Sequence, residues 1–112
     1  MKIFKTYSVF VFSVFAMLHL SACSDQASDK PETSQGAQLY SSNCKVCHAQ
    51  GINGAPILGN KKMWSKRTAK GIDALAQNAI NGVGLMPAKG GKTQLSDEEI
   101  KTIVTYMVAQ AK

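Results

Sequence analysis

The sequence predicts an all-α fold, a small domain of four to five helices. Apolar residues recur at helical spacing near the carboxyl end of the chain, where they form one stripe: Ile100, Ile103, Val104, Met107, Val108 and Ala111. No segment alternates apolar with polar residues as a half-buried strand does. Glycine and proline interrupt the chain often enough to keep each helix short.

The first helix is expected to begin near residues 33–35 and to end at about Asn43. Gly36 lies within it, and a glycine inside a helix costs about 1 kcal/mol relative to alanine. We expect a close crossing with another helix to compensate, because glycine lets two backbones approach most closely. The alternative is a frayed first turn, in which the glycine is harmless.

Three further helices are expected after this one. Residues 50–59 contain three glycines and a proline, which indicates a loop. Short helices follow over about 61–68 and 72–81, and Gly82 is a natural stop for the second. The last helix begins after Ser96, with acidic residues at its first three positions, including a glutamate at the third. This is the pattern of a capping box, and the stripe behind it is expected to be core.

The chemistry of the chain is concentrated in one motif, Cys44-Lys45-Val46-Cys47-His48. A C-x-x-C-H sequence is the attachment motif for a c-type haem. Two thiols three residues apart lie on one side of a helical turn, where they can add to the two vinyl groups of a haem. The histidine that follows is then placed to donate an imidazole nitrogen to the iron as the proximal ligand.

Two other interpretations of the cysteine pair are weaker. A redox dithiol of the thioredoxin type belongs to a βαβ setting, which this chain lacks. A closed zinc site needs four ligands, and the chain has three cysteines and two histidines in all. His19 and Cys23 belong to the amino-terminal segment, so only Cys44, Cys47 and His48 remain for such a site.

Residues 1–22 have the layout of a secretory signal peptide. Lys2 and Lys5 precede a mostly apolar run, and small residues follow it. The run is a little short for a membrane span of about 20 residues, although an uncleaved anchor is the alternative. Leu20-Ser21-Ala22-Cys23 also resembles the lipobox of bacterial lipoproteins, and that resemblance implies cleavage before Cys23 and lipid on this residue. Ordinary export without lipid is the third possibility.

The mature chain is expected to consist of a lipidated tether over residues 23–33 and a haem domain over residues 34–112. Cleavage before Cys23 removes Lys2 and Lys5, which lowers the formal net charge from +6 to +4. This charge is too small and too scattered to indicate nucleic-acid binding. A domain this small rarely builds a sufficient apolar core alone, and a haem would supply the missing apolar body.

The second axial ligand of the iron is expected to be Met86. His19 leaves with the signal peptide, so a mature monomer has no second histidine. Glycines precede Met86 and Pro87 follows it, so the backbone can turn sharply and hold one thioether over a flat ring. Met107 lies in the apolar stripe and is expected to pack in the core, whereas Met63 and an open site are the minor alternatives.

These features together resemble a class I cytochrome c, and more narrowly cytochrome c5, from about Gly36 to the carboxyl terminus. That family has a small all-α fold of four to five helices wrapped around one covalently attached haem. One departure is that residues 90–94 hold no second cysteine pair, so the c5 disulfide is absent. The resemblance is carried by these residues: Gly36, Tyr40, Cys44, Cys47, His48, Gly54, Ala55, Pro56, Trp64, Arg67, Gly71, Gly82, Met86, Pro87, Lys89, Gly90, Leu95, Ser96, Asp97, Tyr106 and Met107.

The resemblance also implies roles for three less certain residues around the haem. The carbonyl of Pro56 would accept the ring N–H of His48 that faces away from the iron. Trp64 would either donate its indole N–H at the propionate edge or pack in the core. Arg67 would either pair with a propionate or be a solvated helix charge. The family further implies that Gly36 and Tyr40 cross the last helix near Ile103 and Tyr106.

The expected function is a membrane-tethered, monohaem electron carrier in the periplasm or cell envelope of a bacterium, and not an enzyme. Its expected cofactor is one covalent haem c with its iron. Its expected partners are redox proteins, among them membrane oxidoreductases, and neither nucleic acid nor a small-molecule substrate is expected. The alternative is a haem relay subunit of a larger membrane oxidoreductase complex. A catalytic haem protein would need an open iron site and a distal acid or base, for which no histidine remains.

Overall fold

The computed structural model describes residues 31–111, and this part of the chain is all-α, as predicted. The predicted signal peptide, Cys23 and most of the predicted tether lie outside the described residues. Within the described part, an isolated bridge between Val83 and Met86 is the one β feature, and none of the helices is long and apolar enough to cross a bilayer. The helices are α1 (Pro31–Asn43), α2 (Lys45–His48), α3 (Lys61–Thr68), α4 (Ile72–Asn81) and α5 (Asp97–Gln110), with 3-10 turns at Ile52–Gly54 and Ala88–Gly91.

Helix α1 begins at Pro31, two residues before the earliest predicted start. The sequence pattern placed this proline in the tether and the helix start at residues 33–35, so the predicted start was late. Proline suits the first position of a helix, because its fixed φ is already helical and its missing N–H would have no partner there. Helix α1 therefore includes the last three residues assigned to the tether, residues 31–33.

The predicted close crossing occurs where α1 meets α5. A Cβ added to Gly36 would lie 2.6 Å from Cβ of Tyr106 and 3.0 Å from the carbonyl oxygen of Thr102. One turn further along α1, the rings of Tyr40 and Tyr106 pack with their centroids 5.7 Å apart. The missing side chain at Gly36 thus sets how near the first and last helices approach.

Helices α3 and α4 have the bounds that the sequence predicted. The side chain of Asn60 caps α3 by accepting a hydrogen bond from the backbone N–H of Met63 at 3.1 Å. Gly82 ends α4 with a φ of 85°, a conformation that no residue with a side chain adopts easily.

The core lies where α1, α3, α4 and α5 meet. The predicted stripe of α5 supplies Ile100, Ile103, Val104 and Met107, all buried, and Tyr40, Trp64, Ala76, Ala79 and Leu95 complete the core. Further apolar side chains are only half-buried against it, including Leu58, Met63, Leu75, Ile80 and Met86. The apolar core that the side chains of this domain form is therefore small, which agrees with the expected need for an additional apolar body.

The capping box of α5 is present and makes a pH-dependent contribution to stability. The backbone N–H of Ser96 donates to Oε2 of Glu99 at 2.8 Å, and Oγ of Ser96 accepts from the backbone N–H of Glu99 at 3.2 Å. The hydrogen bond from the backbone of Ser96, then that from its hydroxyl, hold the pKa of Glu99 below its ordinary value. The stabilisation is therefore present above the unfolded pKa of about 4.3 and is lost as the pH falls through the lower folded value.

This leads to a prediction for Glu99→Gln, which keeps the shape of the capping box and removes its charge. At pH 7 the wild type should have a higher free energy of unfolding than the variant, because the lowered pKa of Glu99 favours its ionised form in the folded protein. The difference should shrink steadily below about pH 4 as Glu99 protonates. Urea unfolding of both proteins at several pH values measures it, and a difference that stays constant down to pH 3 would contradict the assignment.

Candidate functional site

The motif Cys44–His48 forms one continuous helical turn at the end of α1. The backbone N–H of Cys44 donates to the carbonyl of Tyr40 at 2.9 Å, and that of His48 donates to the carbonyl of Cys44 at 3.1 Å. Cys44 is half-buried and Cys47 is exposed, and both are free thiols. The turn therefore carries two sulfurs and an imidazole that is only 8% exposed.

The ring of His48 is held in place by the loop that follows it. Its Nδ1 lies 2.9 Å from the carbonyl oxygen of Pro56, which can only accept, so Nδ1 carries the proton. The backbone carbonyl of His48 also accepts from the N–H of Leu58 at 2.9 Å, which fixes the loop against the helical turn. A proton on Nδ1 leaves the lone pair on Nε2, so Nε2 is the atom available to a metal ion. The contact that the family resemblance implied for Pro56 is thus present.

The surroundings of Cys44 favour its protonated thiol. Burial raises the pKa of Cys44, the neighbouring Cys47 raises this pKa further, and Lys92 opposes both effects. Since a free thiol already has a pKa of about 8.5, Cys44 is a neutral thiol at pH 7. These surroundings therefore disfavour the thiolate of Cys44, which is the form that binds metal ions.

Met86 lies in a tight turn whose shape depends on Gly82. Val83 and Met86 exchange two backbone hydrogen bonds, each 3.0 Å long. A Cβ at Gly82 would lie 2.9 Å from both the carbonyl oxygen of Met86 and the backbone nitrogen of Ala88, so the chain folds back on itself here. Met86 is half-buried, and like Cys44 it packs against the common core.

The other two methionines of the described chain have different surroundings. Met107 is 4% exposed within the core, as predicted from its place in the stripe of α5. Met63 is half-buried on α3 and packs against the core from the helix that also carries Trp64. Among these three methionines, Met86 alone lies in a turn rather than a helix. A sharp bend of the backbone therefore holds its side chain.

Trp64 had two expected roles, a hydrogen bond to a haem propionate or packing in the core, and the structure favours the second. The indole N–H donates instead to the carbonyl oxygen of Ile57 at 2.8 Å, and the ring is 5% exposed. Trp64 therefore has the core role that was its alternative, and it ties α3 to the loop behind His48. The sequence could not show this partner, because it depends on the path of an irregular loop.

Arg67 has the surroundings of a solvated helix charge. It is exposed on α3, and its guanidinium donates to the backbone carbonyl of Met63 one turn earlier. That contact lies within its own helix, so the structure gives it no bond to another part of the site. The pairing of Arg67 with a propionate stays an unsupported expectation.

The donor set fits a covalently attached haem better than a bare metal ion. Within residues 31–111, no group of three or more histidine, cysteine, aspartate or glutamate side chains is placed to hold a metal ion. The zinc alternative therefore finds no further ligands in the described chain. Two thiols on one turn, an imidazole with its tautomer fixed and a thioether elsewhere on the core are the groups that a His/Met-ligated haem c requires.

Comparisons with known proteins give the same result. The family model described as cytochrome c oxidase, cbb3-type, subunit III matches residues 31–107. Cytochrome c-555 of Chlorobaculum thiosulfatiphilum is 39% identical over 85 residues, which cover 72% of this chain and 99% of that relative. Cytochrome c5 of Ectopseudomonas mendocina is 32% identical over 71 residues, which cover 62% of this chain and 82% of that protein.

A solved structure agrees in fold as well as in sequence. One chain in the crystal structure of an electron transfer complex of nitrite reductase with cytochrome c is 40% identical, with a TM-score of 0.66. The match covers 70% of this chain and 95% of that one. The chain therefore belongs to the class I c-type cytochromes, a family of electron carriers with one covalently bound haem c.

Proposed function

We propose that this chain carries single electrons between redox proteins in the cell envelope through a haem held by Cys44, Cys47, His48 and Met86. The observation that supports the proposal most strongly is the bond from Nδ1 of His48 to the carbonyl of Pro56. It fixes an imidazole on the same helical turn as two free thiols, with Nε2 directed to ligation. The haem supplies a one-electron iron couple, and the protein supplies its ligands, orientation and surroundings.

Each of the four residues has a distinct chemical task. The thiols of Cys44 and Cys47 would attach the haem by adding across its two vinyl groups, with each sulfur bonding one vinyl carbon and each thiol hydrogen passing to the other. Pro56 keeps the proton on Nδ1 of His48, so that Nε2 stays a ligand in both oxidation states. The thioether of Met86 would be the second iron ligand, which would favour the reduced state and keep other molecules from the iron.

The location of this electron transfer belongs to the proposal as well. A lipid on Cys23 would anchor the protein to a bacterial membrane facing the periplasm, with a short tether between the lipid and Pro31. The support is the lipobox-like sequence and the exported nature of thioether assembly in bacteria. Intact-mass analysis of the purified protein should find Cys23 with lipid on its sulfur and amino group, whereas an unmodified amino terminus would remove the membrane anchor from the proposal.

A haem relay subunit of a larger membrane oxidoreductase is the second candidate. The description of the matching family model names a subunit of a cbb3-type oxidase, and this wording favours the candidate. The solved electron transfer complex of nitrite reductase with cytochrome c favours a carrier that passes electrons to a separate redox protein. Stable co-purification of this chain with an oxidoreductase would decide for the subunit, and isolation of a free monomer would decide for the carrier.

Potentiometry and ligand binding on the purified holoprotein test the proposed function directly. We expect a reversible change of one electron per chain, because the chain holds one haem. We also expect the reduced native protein not to bind carbon monoxide, because both axial positions are filled by the protein. Ready binding of carbon monoxide by the native protein would contradict the proposal and favour a catalytic or sensing haem.

A further inference from the structure

Lys89 is fixed by two contacts that join the turn carrying Met86 to the start of α5. Its Nζ donates to the carbonyl oxygen of Leu95 at 2.7 Å and lies 2.8 Å from Oδ1 of Asp97. The side chain of Lys89 is 22% exposed, against 62% for Asp97, so most of the lysine side chain is covered by its neighbours.

Both acceptors belong to firmly held parts of the fold. Leu95 is 6% exposed within the core, and Asp97 is the first residue of α5, directly after the capping residue Ser96. The ammonium therefore connects the Met86 turn to the helix that forms the largest part of the core. Charged hydrogen bonds of this kind are roughly twice as strong as neutral ones.

Lys89 makes these contacts from a strained backbone conformation. Its φ is 53°, a left-handed conformation that side chains other than those of asparagine and aspartate rarely adopt. The next residue, Gly90, is also left-handed, and its N–H donates to the carbonyl of Pro87 at 2.9 Å. A strained conformation of this kind persists only where the surroundings hold it, and here the two contacts of the ammonium hold it.

We propose that Lys89 is a positioning residue that holds the Met86 turn against α5 and so determines how readily Met86 leaves its ligand position. The proposal rests on the assignment of Met86 as a ligand in the proposed function. Lys89 itself contacts no iron ligand. It acts by limiting the opening of residues 82–92, the segment that must move for the thioether to be replaced.

The test is the affinity of the ferric holoprotein for imidazole, a small ligand that can enter only if Met86 departs. Lys89→Asn is the main variant, because asparagine tolerates the left-handed backbone but is too short to reach Leu95 or Asp97. We expect its apparent imidazole affinity to rise about fivefold, the effect of losing a partly exposed charged hydrogen bond. Lys89→Arg, which keeps a charged donor of similar reach, should stay near the wild type.

Asp73→Asn is the matched control. Asp73 makes an ion pair of 2.7 Å with Lys101, which joins α4 to α5 away from the Met86 turn. Its loss should leave imidazole affinity unchanged even if global stability falls slightly, so a general loosening of the fold is separated from a local one. If Lys89→Asn does not accumulate as holoprotein, Asp97→Asn removes one of the two acceptors and should raise the affinity by about twofold.

Two results would overturn the proposal. The first leaves the assignment of Met86 as an iron ligand intact, and the second removes it as well. Equal imidazole affinity in the wild type, Lys89→Asn and Asp97→Asn would show that the ammonium does not restrain the turn, while the Met86 assignment would stand. If Met86→Ala instead had the same ferric spectrum and imidazole affinity as the wild type, the ligand assignment would fail and the role of Lys89 would fail with it.

Discussion

Met86→Ala should lower the reduction potential of the haem by on the order of 100 mV or more, since the axial ligand is a main determinant of that potential. The thioether favours the reduced iron, and alanine offers no atom to replace it. The reduced variant should also bind carbon monoxide readily, in contrast to the native protein. Potentiometric titration and a carbon monoxide difference spectrum measure the two effects on the same sample.

Met63→Ala is the control for the loss of a methionine as such. Met63 is half-buried against the core, so its truncation should cost stability through lost packing while leaving the ligand set intact. Its potential should stay close to the wild-type value, and its reduced form should not bind carbon monoxide. If the reduction potential fell greatly for Met63→Ala and not for Met86→Ala, Met63 would be the iron ligand and Met86 the packing residue.

Gly36→Ala should destabilise the protein by about 1–2 kcal/mol, which is the opposite of what helix propensity predicts. Alanine is favoured over glycine inside a helix by about 1 kcal/mol. The new Cβ, however, would lie 2.6 Å from Cβ of Tyr106, well inside the contact distance of about 3.5–4.0 Å. Overpacking of this kind costs about 1–3 kcal/mol and sometimes more, and here the nearest atoms belong to a second helix that must move as a whole.

Urea unfolding of the holoproteins measures this loss, with Gln38→Ala as the control on the same helix. Gln38 is exposed, so its replacement should change the free energy of unfolding by less than about 0.5 kcal/mol. The ferric absorption spectrum of Gly36→Ala should stay that of the wild type, because no ligand is touched. A variant as stable as the wild type would contradict the tight crossing of α1 and α5.

The parts of the fold that the sequence predicted are those with local causes. Helix α4 ends at Gly82 because the next residues need a backbone that only glycine adopts, and this is visible in the sequence. The capping box of α5 likewise involves residues three apart, Ser96 and Glu99. The turn of Cys44–His48 and its bond to Pro56 followed from the motif and the family it resembles.

The parts that were missed depend on distant or irregular backbone. Pro31 was assigned to the tether, since prolines are common both in linkers and at helix starts. The partner of the Trp64 indole is a carbonyl in a loop whose path no periodicity describes. Lys89 was one basic residue among many, and only the left-handed backbone at this position brings its ammonium to Leu95 and Asp97.

The central claim is that His48 and Met86 enclose one haem iron, and the ferric absorption spectrum tests it most directly. We predict a weak long-wavelength band from sulfur-to-iron charge transfer in the wild type and in Met63→Ala, and its loss in Met86→Ala. Each protein should carry one haem per chain that resists extraction by acidified organic solvent, because both thioether bonds remain. A sulfur-to-iron band that survives in Met86→Ala would contradict the account.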